Sequence, residues 1–160
     1  MRNSSKGFSL IELLIVVAII LIIAAIAIPN LLRSRIAANQ SSAVGSLRTL
    51  NTAEITYSST FGNGFTVDMP SLGPTADGSS PTSTAAGLID SVLAAGSKSG
   101  YSFTYSPGTS DSSGKINTYM FTAVPITSST GTNYYYTDQS GVIRQNSTTT
   151  AGTTDSPIAG

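Results

Sequence analysis

The side chains that most often perform catalysis or bind metals are scarce in this 160-residue chain. It contains no histidine and no cysteine, which excludes histidine-based proton transfer, thiol chemistry, disulfide bonds and the usual zinc sites. The aspartates beyond residue 58 are dispersed, and neither a diagnostic carboxylate pair nor an EF-hand pattern occurs among them; they are Asp68, Asp77, Asp90, Asp111, Asp138 and Asp155. We therefore predict no catalytic residues, no metal site and no cofactor.

One spacing in the second half of the chain matches a nucleophile motif. Ser112 and Lys115 have the Ser-x-x-Lys skeleton of a serine–lysine pair, but the companion motifs of such enzymes are missing. The run Asp111–Gly114 is instead typical of a turn before a strand, and residues 138–141 have similar turn chemistry. We interpret both aspartates as turn formers, and we predict that the chain is not an enzyme.

The charges do not indicate a nucleic-acid site. The formal net charge is zero, and the basic residues of the polar part, Lys98, Lys115 and Arg144, are too few for a binding groove. The consecutive tyrosines at 134–136 alternate between the two faces of a strand, so we expect them to pack in and around a core rather than stack on bases.

The chain contains one long apolar segment close to its start. Residues 13–28 are uninterrupted aliphatic or alanine residues, and Glu12 is the only charge from Phe8 to Ile28. As an α-helix these 21 residues are roughly 31 Å long, enough to cross the hydrocarbon core of a bilayer. Basic residues flank both ends, so the positive-inside rule does not fix the orientation.

Three interpretations of this segment compete. A secretory signal peptide would be cleaved after the small-x-small run Ala25–Ala27, so that the mature chain begins at Ile28. A plain membrane anchor explains the length but not Glu12, because a carboxylate at the bilayer centre costs about 2.5–3.5 kcal/mol on insertion scales. The third interpretation rests on the order of residues 6–12, KGFSLIE, directly before the apolar run.

That order resembles the cleavage site of the type IV pilin and pseudopilin family. The resemblance implies a leader, residues 1–7, that remains in the cytoplasm and is removed between Gly7 and Phe8 by a prepilin peptidase, which also methylates the new amino group of Phe8. It further implies that Glu12 neutralises the terminal ammonium of a neighbouring subunit, since an unpaired charge in an apolar helical bundle is strongly disfavoured. Pro29 resembles the helix-weakening proline of the family.

The rest of the pattern predicts an α+β fold. An apolar stripe continues beyond Pro29, and with the apolar segment it predicts one long kinked helix over residues 8–57, with 8–28 spanning a membrane. The stripe consists of Ile36, Ala43, Leu47, Leu50, Ala53 and Tyr57. Residues 58–160 are expected to form a β-rich globular head, whose tail, residues 147–160, is flexible or pinned at a sheet edge.

Within the head, glycines and prolines predict an irregular stretch over residues 61–84. A short amphipathic helix is predicted over residues 85–95, with Gly96 as its C′ residue. Strands are predicted over residues 101–105, 116–124, 134–137 and 142–145. The short connections predict antiparallel neighbours, and therefore a small meander packed on the helix.

The resemblance implies a major structural subunit of a bacterial type IV pilus that polymerises into a helical homo-oligomer. Its partners would be the peptidase, the pilus assembly platform and its ATPases, with the inner membrane holding the subunit before assembly and the extracellular filament holding it afterwards. A pseudopilin of a type II secretion system shares these features and is the alternative. A secreted soluble binding protein remains a third, less favoured alternative that requires cleavage after Ala27.

Overall fold

The computed structural model describes residues 7–75 and 78–158, and it confirms the α+β class. Helix α1 spans Leu10–Phe61, a short 3-10 helix spans Pro70–Leu72, and helix α2 spans Ser91–Ala94. The strands are β1 (Ser97–Lys98), β2 (Tyr101–Pro107), β3 (Tyr119–Pro125), β4 (Tyr134–Asp138) and β5 (Arg144–Asn146).

The chain divides into two compact units, Met1–Arg35 and Ile36–Gly160, with the boundary inside α1. The first unit contains the apolar part of the helix. The second contains the rest of α1, both short helices and the sheet. The helix end predicted at residue 57 lies four residues before the observed end at Phe61. The division between the two units lies elsewhere, after Arg35.

The apolar stripe of α1 in the second unit forms one wall of the core. Ala43, Leu47 and Leu50 are fully buried, and Ala53 and Tyr57 are nearly so. They join one cluster with core residues of the sheet and of the segment before it, among them Leu72, Leu93, Tyr101, Phe103, Tyr119, Phe121 and Tyr135. Because these positions recur every three or four residues, they lie on one face of the helix, and packing of that face stabilises this part of α1.

The sheet is an antiparallel meander in the order β1-β2-β3-β4-β5, as the short connections predict. Its long central pair is β2 and β3, whose register runs from Tyr101 opposite Pro125 to Pro107 opposite Tyr119. Alternate side chains of β2 and β3, including Phe103 and Phe121, face the core. The sheet therefore buries one face against the helix.

Two predicted strands begin later than expected, and one strand was missed. β3 begins at Tyr119 rather than at residue 116, because Ile116 instead forms isolated bridges with Gly64 and Ser110. β5 begins at Arg144 rather than at residue 142, because the turn that ends at Gly141 delays pairing with β4. The two-residue strand β1 was not predicted, since Ser97–Lys98 carries no alternation of apolar side chains.

Both predicted aspartate turns are present. The amide of Gly114 donates to the carbonyl of Asp111, and the amide of Gly141 donates to the carbonyl of Asp138. Both glycines have positive φ, 81° and 74°, which the absence of a Cβ permits. Ser112 lies in the first of these turns and Lys115 follows it, as the turn interpretation of the Ser-x-x-Lys spacing requires.

The predicted helix over residues 85–95 is wrong over most of its length. Only Ser91–Ala94 is helical, capped by the Asp90 carboxylate, which accepts from the amide of Leu93. The amides before it, from residue 86 to residue 89, donate instead to carbonyls of residues 71–73, and Gly87 has a positive φ of 67° that an α-helix cannot contain. Gly96 has φ 79° directly after the C-cap Ala95, as predicted for a C′ residue.

The C-terminal segment folds back on the edge strand β5. The amide of Gln145 donates to the carbonyl of Ser156, and the amide of Ile158 donates to the carbonyl of Ile143. Ala151 is buried, with 4% of its surface exposed. Of the two expectations for the tail, attachment at a sheet edge describes the chain as far as Ile158.

Candidate processing and assembly segment

The first described residues, Gly7 to Ser9, precede helix α1 and have no regular secondary structure. Gly7 is exposed, and Phe8 has 79% of its surface exposed. A peptidase binds its substrate in an extended conformation, so a peptide bond outside a helix is a better substrate than one inside it. The predicted scissile bond between Gly7 and Phe8 has this geometry, whereas the competing site at Ala25–Ala27 lies within α1.

Space within the subunit does not account for a glycine at position 7. A Cβ built on Gly7 meets no heavy atom within 4 Å, and its φ lies outside the left-handed region that favours glycine. A side chain would therefore fit in the isolated chain. If glycine is required here, a bound partner must impose that requirement.

Glu12 and Ser9 together cap the N-terminus of α1. Oε2 of Glu12 accepts a hydrogen bond of 2.9 Å from the backbone N–H of Ser9, and the amide of Leu13 donates to the Ser9 carbonyl at 3.2 Å. Because helix N-termini leave backbone amides without partners, a glutamate three residues after the cap stabilises the helix start. The Ser-x-x-Glu spacing is the sequence signature of a capping box, and its glutamate half is formed here; this bond was missed from the sequence.

The apolar side chains of the first unit are not covered by other parts of that unit. From Leu10 to Leu32 the large aliphatic residues are each at least 44% exposed. By length and composition alone, α1 is the one helix in the described ranges that could cross a membrane. An apolar surface of this size requires lipid or protein around it, since exposure to water costs roughly 25 cal/mol per Å².

Pro29 lies inside α1, and the helix continues on both sides of it. Because proline has no N–H, the carbonyl of Ala25 lacks its usual helical donor. One residue along, the side-chain amide of Asn30 donates to the carbonyl of Ile26 at 3.0 Å. Pro29 therefore does not end the helix, and the kink expected there stays a prediction.

The remaining site predictions concern absences. In residues 7–75 and 78–158, no group of three or more acidic side chains is arranged to hold a metal ion. Lys6 and the rest of the basic leader, like Asp77 in the head, lie outside the described residues.

Comparison with known proteins identifies a family motif in the N-terminal segment. The family model described as the prokaryotic N-terminal methylation motif matches residues 2–28. The chain carries a type IV prepilin motif. The resemblance to the pilin and pseudopilin family is confirmed over this segment, which includes Gly7, Phe8, Glu12 and the apolar run.

Two curated pilus proteins are similar to part of this chain. The type IV wide pilus major component PilA4 of Thermus thermophilus is 66% identical over 41 residues, which are 26% of this chain and 30% of the relative. The type IV major pilin protein PilA of Myxococcus xanthus is 51% identical over 53 residues, 33% of this chain and 24% of the relative. The matches thus span less than a third of either relative. No solved structure matches the chain.

Proposed function

We propose that this chain is the precursor of a major structural subunit of a bacterial type IV pilus. The observation that carries the proposal is the arrangement at the start of α1, where an exposed, non-helical Gly7–Phe8 bond lies just before the exposed apolar part of the helix, Leu10 to Leu32, whose one carboxylate is Glu12. The partial similarity to two pilus subunits supports it. The chain serves assembly and not catalysis.

Processing comes first in this account. A membrane-bound prepilin peptidase hydrolyses the bond between Gly7 and Phe8, leaving the leader with a free carboxylate and Phe8 with an α-amino group, which is then methylated. The missing side chain at Gly7 serves the peptidase, because a narrow active site admits glycine more readily than a larger residue. Before and after cleavage, residues 8–28 hold the subunit in the inner membrane, with the sheet-bearing unit outside the cytoplasm.

Assembly then moves the apolar helix from lipid into a bundle of identical helices, so its surface stays away from water throughout. Head-to-tail contacts between subunits that do not close into a ring produce a filament. Glu12 exchanges its local partner, the Ser9 amide, for the methylated ammonium of Phe8 on a neighbouring subunit. A buried charge pair tolerates only a matched register, so Glu12 selects the stagger between subunits. Pro29 weakens the helix and allows it to adjust within the filament.

The pilus assembly platform and its ATPases supply the work of extraction from the membrane. A pseudopilin of a type II secretion system would be processed in the same way, and it differs in the machinery that assembles it. Both similar proteins are described as major pilus components, which favours the pilus. Cleavage after Ala27 to release a soluble protein is disfavoured because that bond lies within a continuous helix.

Filament yield in the Glu12→Leu variant tests the role of Glu12. Leucine keeps the helix apolar, so the variant is expected to enter the membrane and lose its leader normally, while sheared filaments seen by electron microscopy fall at least about tenfold, as expected when one partner of a buried pair is removed. Asp111→Asn, which neutralises an exposed carboxylate in a turn, is the matched control and should assemble normally. Unchanged filament yield and stagger in Glu12→Leu would refute this role.

A further inference from the structure

The charged side chains between the apolar segment and Glu54 are all basic. Between Glu12 and Glu54 the chain contains no acidic residue, and its charged side chains there are Arg33, Arg35 and Arg48. Both Arg33 and Arg35 are exposed. Within residues 7–75 and 78–158 the one ion pair joins Lys98 to Asp90, so neither arginine has an acidic partner in the described part of its own chain.

The two arginines lie at the depth of lipid headgroups when residues 8–28 span the membrane. Arg33 follows Ile28 by five residues, about 7.5 Å along a helix axis. The headgroup layer extends roughly 5–7 Å beyond each face of the hydrocarbon core. Side chains on a helix lean toward its N-terminus, which is the membrane side here, so Arg35, about 10 Å from Ile28, also reaches back into this layer.

The positions of the two arginines around the helix point to several lipids rather than one partner. Residues two apart on an α-helix are about 200° apart around the axis, so Arg33 and Arg35 project from nearly opposite sides. A single protein surface would meet one side, whereas lipid headgroups surround the whole helix. A guanidinium binds phosphate through two parallel N–H donors, which suits both positions.

We propose that Arg33 and Arg35 bind headgroup phosphates of anionic phospholipids at the C-terminal end of the membrane span. Together they fix the depth of the stored subunit and oppose its withdrawal into the bilayer. The proposal rests on the membrane span within the proposed function and does not require a filament. Loss of filaments in other variants would therefore leave it intact.

Relative lipid affinity at this position is the direct test. The chain contains no tryptophan, so Leu31→Trp provides a unique fluorophore beside the arginines. The full chain is reconstituted, at low protein density, in phosphatidylcholine vesicles with phosphatidylglycerol. Quenching by brominated phosphatidylglycerol is compared with quenching by brominated phosphatidylcholine, and the ratio reports preference for the anionic lipid next to residue 31.

We expect a clear preference for phosphatidylglycerol that falls roughly 25-fold in the Arg33→Gln/Arg35→Gln double variant, because each arginine near an anionic surface contributes about a fivefold factor in lipid affinity. Arg33→Lys/Arg35→Lys should retain most of the preference, since it keeps the charge. Arg48→Gln is the matched control, about 20 Å farther along the helix, and should change nothing. The preference should also weaken with added salt.

Quenching by brominated phosphatidylcholine shows that each variant is inserted, and the salt titration tests the proposal without any change to the arginines. An equal preference for phosphatidylglycerol in the double glutamine variant would overturn the proposal. So would a preference that salt does not weaken. The absence of any preference for phosphatidylglycerol in the wild-type chain at low protein density would equally overturn it.

Discussion

The carboxylate of Glu54 accepts two hydrogen bonds from Thr66, one at 2.6 Å from Oγ1 and one at 3.0 Å from the backbone N–H. Glu54 is fully buried on α1, and Thr66 lies in the irregular segment that follows the helix. The hydroxyl of Tyr105 donates to the Thr66 carbonyl at 2.7 Å, which extends the network to β2. These contacts fasten the segment after the helix to the core.

The same burial makes this contact sensitive to pH. Removal from water raises the pKa of Glu54 above its usual value of 4.5, although the hydrogen bonds from Thr66 oppose the shift. A carboxyl group whose pKa is higher in the folded state stabilises the fold when protonated. That contribution is complete below about pH 4.5 and is lost as the pH rises through the folded pKa.

We therefore predict that Glu54→Gln makes the second unit more stable than the wild type at pH 7 and removes this part of its pH dependence. Glutamine can keep both contacts, since its oxygen accepts from the Thr66 amide and its NH2 donates to the hydroxyl. Unfolding of the full chain in detergent is followed by near-UV circular dichroism of tyrosine, because all seven tyrosines belong to the second unit. A Glu54→Gln variant less stable than wild type at pH 7 and equally pH-dependent would contradict this.

Asn51 links α1 to two strands through buried polar contacts. Its side-chain NH2 donates to Thr137 Oγ1 at 2.8 Å, and its Oδ1 accepts from the Tyr119 hydroxyl at 3.1 Å. We predict that Asn51→Leu costs about 2 kcal/mol or more in unfolding free energy, because it leaves two buried hydroxyl groups without this partner. Thr52→Ala, at the exposed neighbouring position, should stay within about 0.5 kcal/mol. Equal losses in the two variants would contradict the prediction.

Asp155 holds the C-terminal segment against β5. Its Oδ1 accepts from the Asn146 side chain at 2.9 Å, its Oδ2 accepts from the Gly152 amide at 2.8 Å, and its carbonyl accepts from Arg144 at 2.9 Å. We predict that Asp155→Ala costs about 1 kcal/mol and speeds amide hydrogen exchange in residues 152–158 by roughly fivefold or more. The exposed Thr153→Ala is the control. Exchange as slow as in the wild type would show that this carboxylate does not secure the segment.

The parts of the fold with strong local patterns are predictable from the sequence. The apolar run and the stripe through Leu47 and Leu50 predict one long helix because periodicity alone places those side chains on a face. The aspartate–glycine turns predict the meander because their backbone geometry depends on local residues. The N-terminal methylation motif is recognisable for the same reason, since its residues are contiguous.

Features that depend on distant partners escaped prediction. Residues 85–90 have helical spacing, but the amides of residues 86–89 pair with carbonyls of residues 71–73, and nothing local signals that choice. The buried Glu54 is another case, because the donors that make its burial tolerable come from Thr66. The hydrogen bond between Ser9 and Glu12 does have a local signature, the Ser-x-x-Glu spacing, but the prediction for Glu12 used only its charge.

The N-terminus of the mature protein tests the central claim most directly. Mass spectrometry of a surface-sheared or membrane fraction identifies the first residue and any modification on it. The proposed function predicts a chain that starts at Phe8 with a methyl group on its α-nitrogen. A chain that starts at Ile28 would contradict it, because removal of residues 8–27 would leave neither the membrane span nor Glu12 for assembly into a filament.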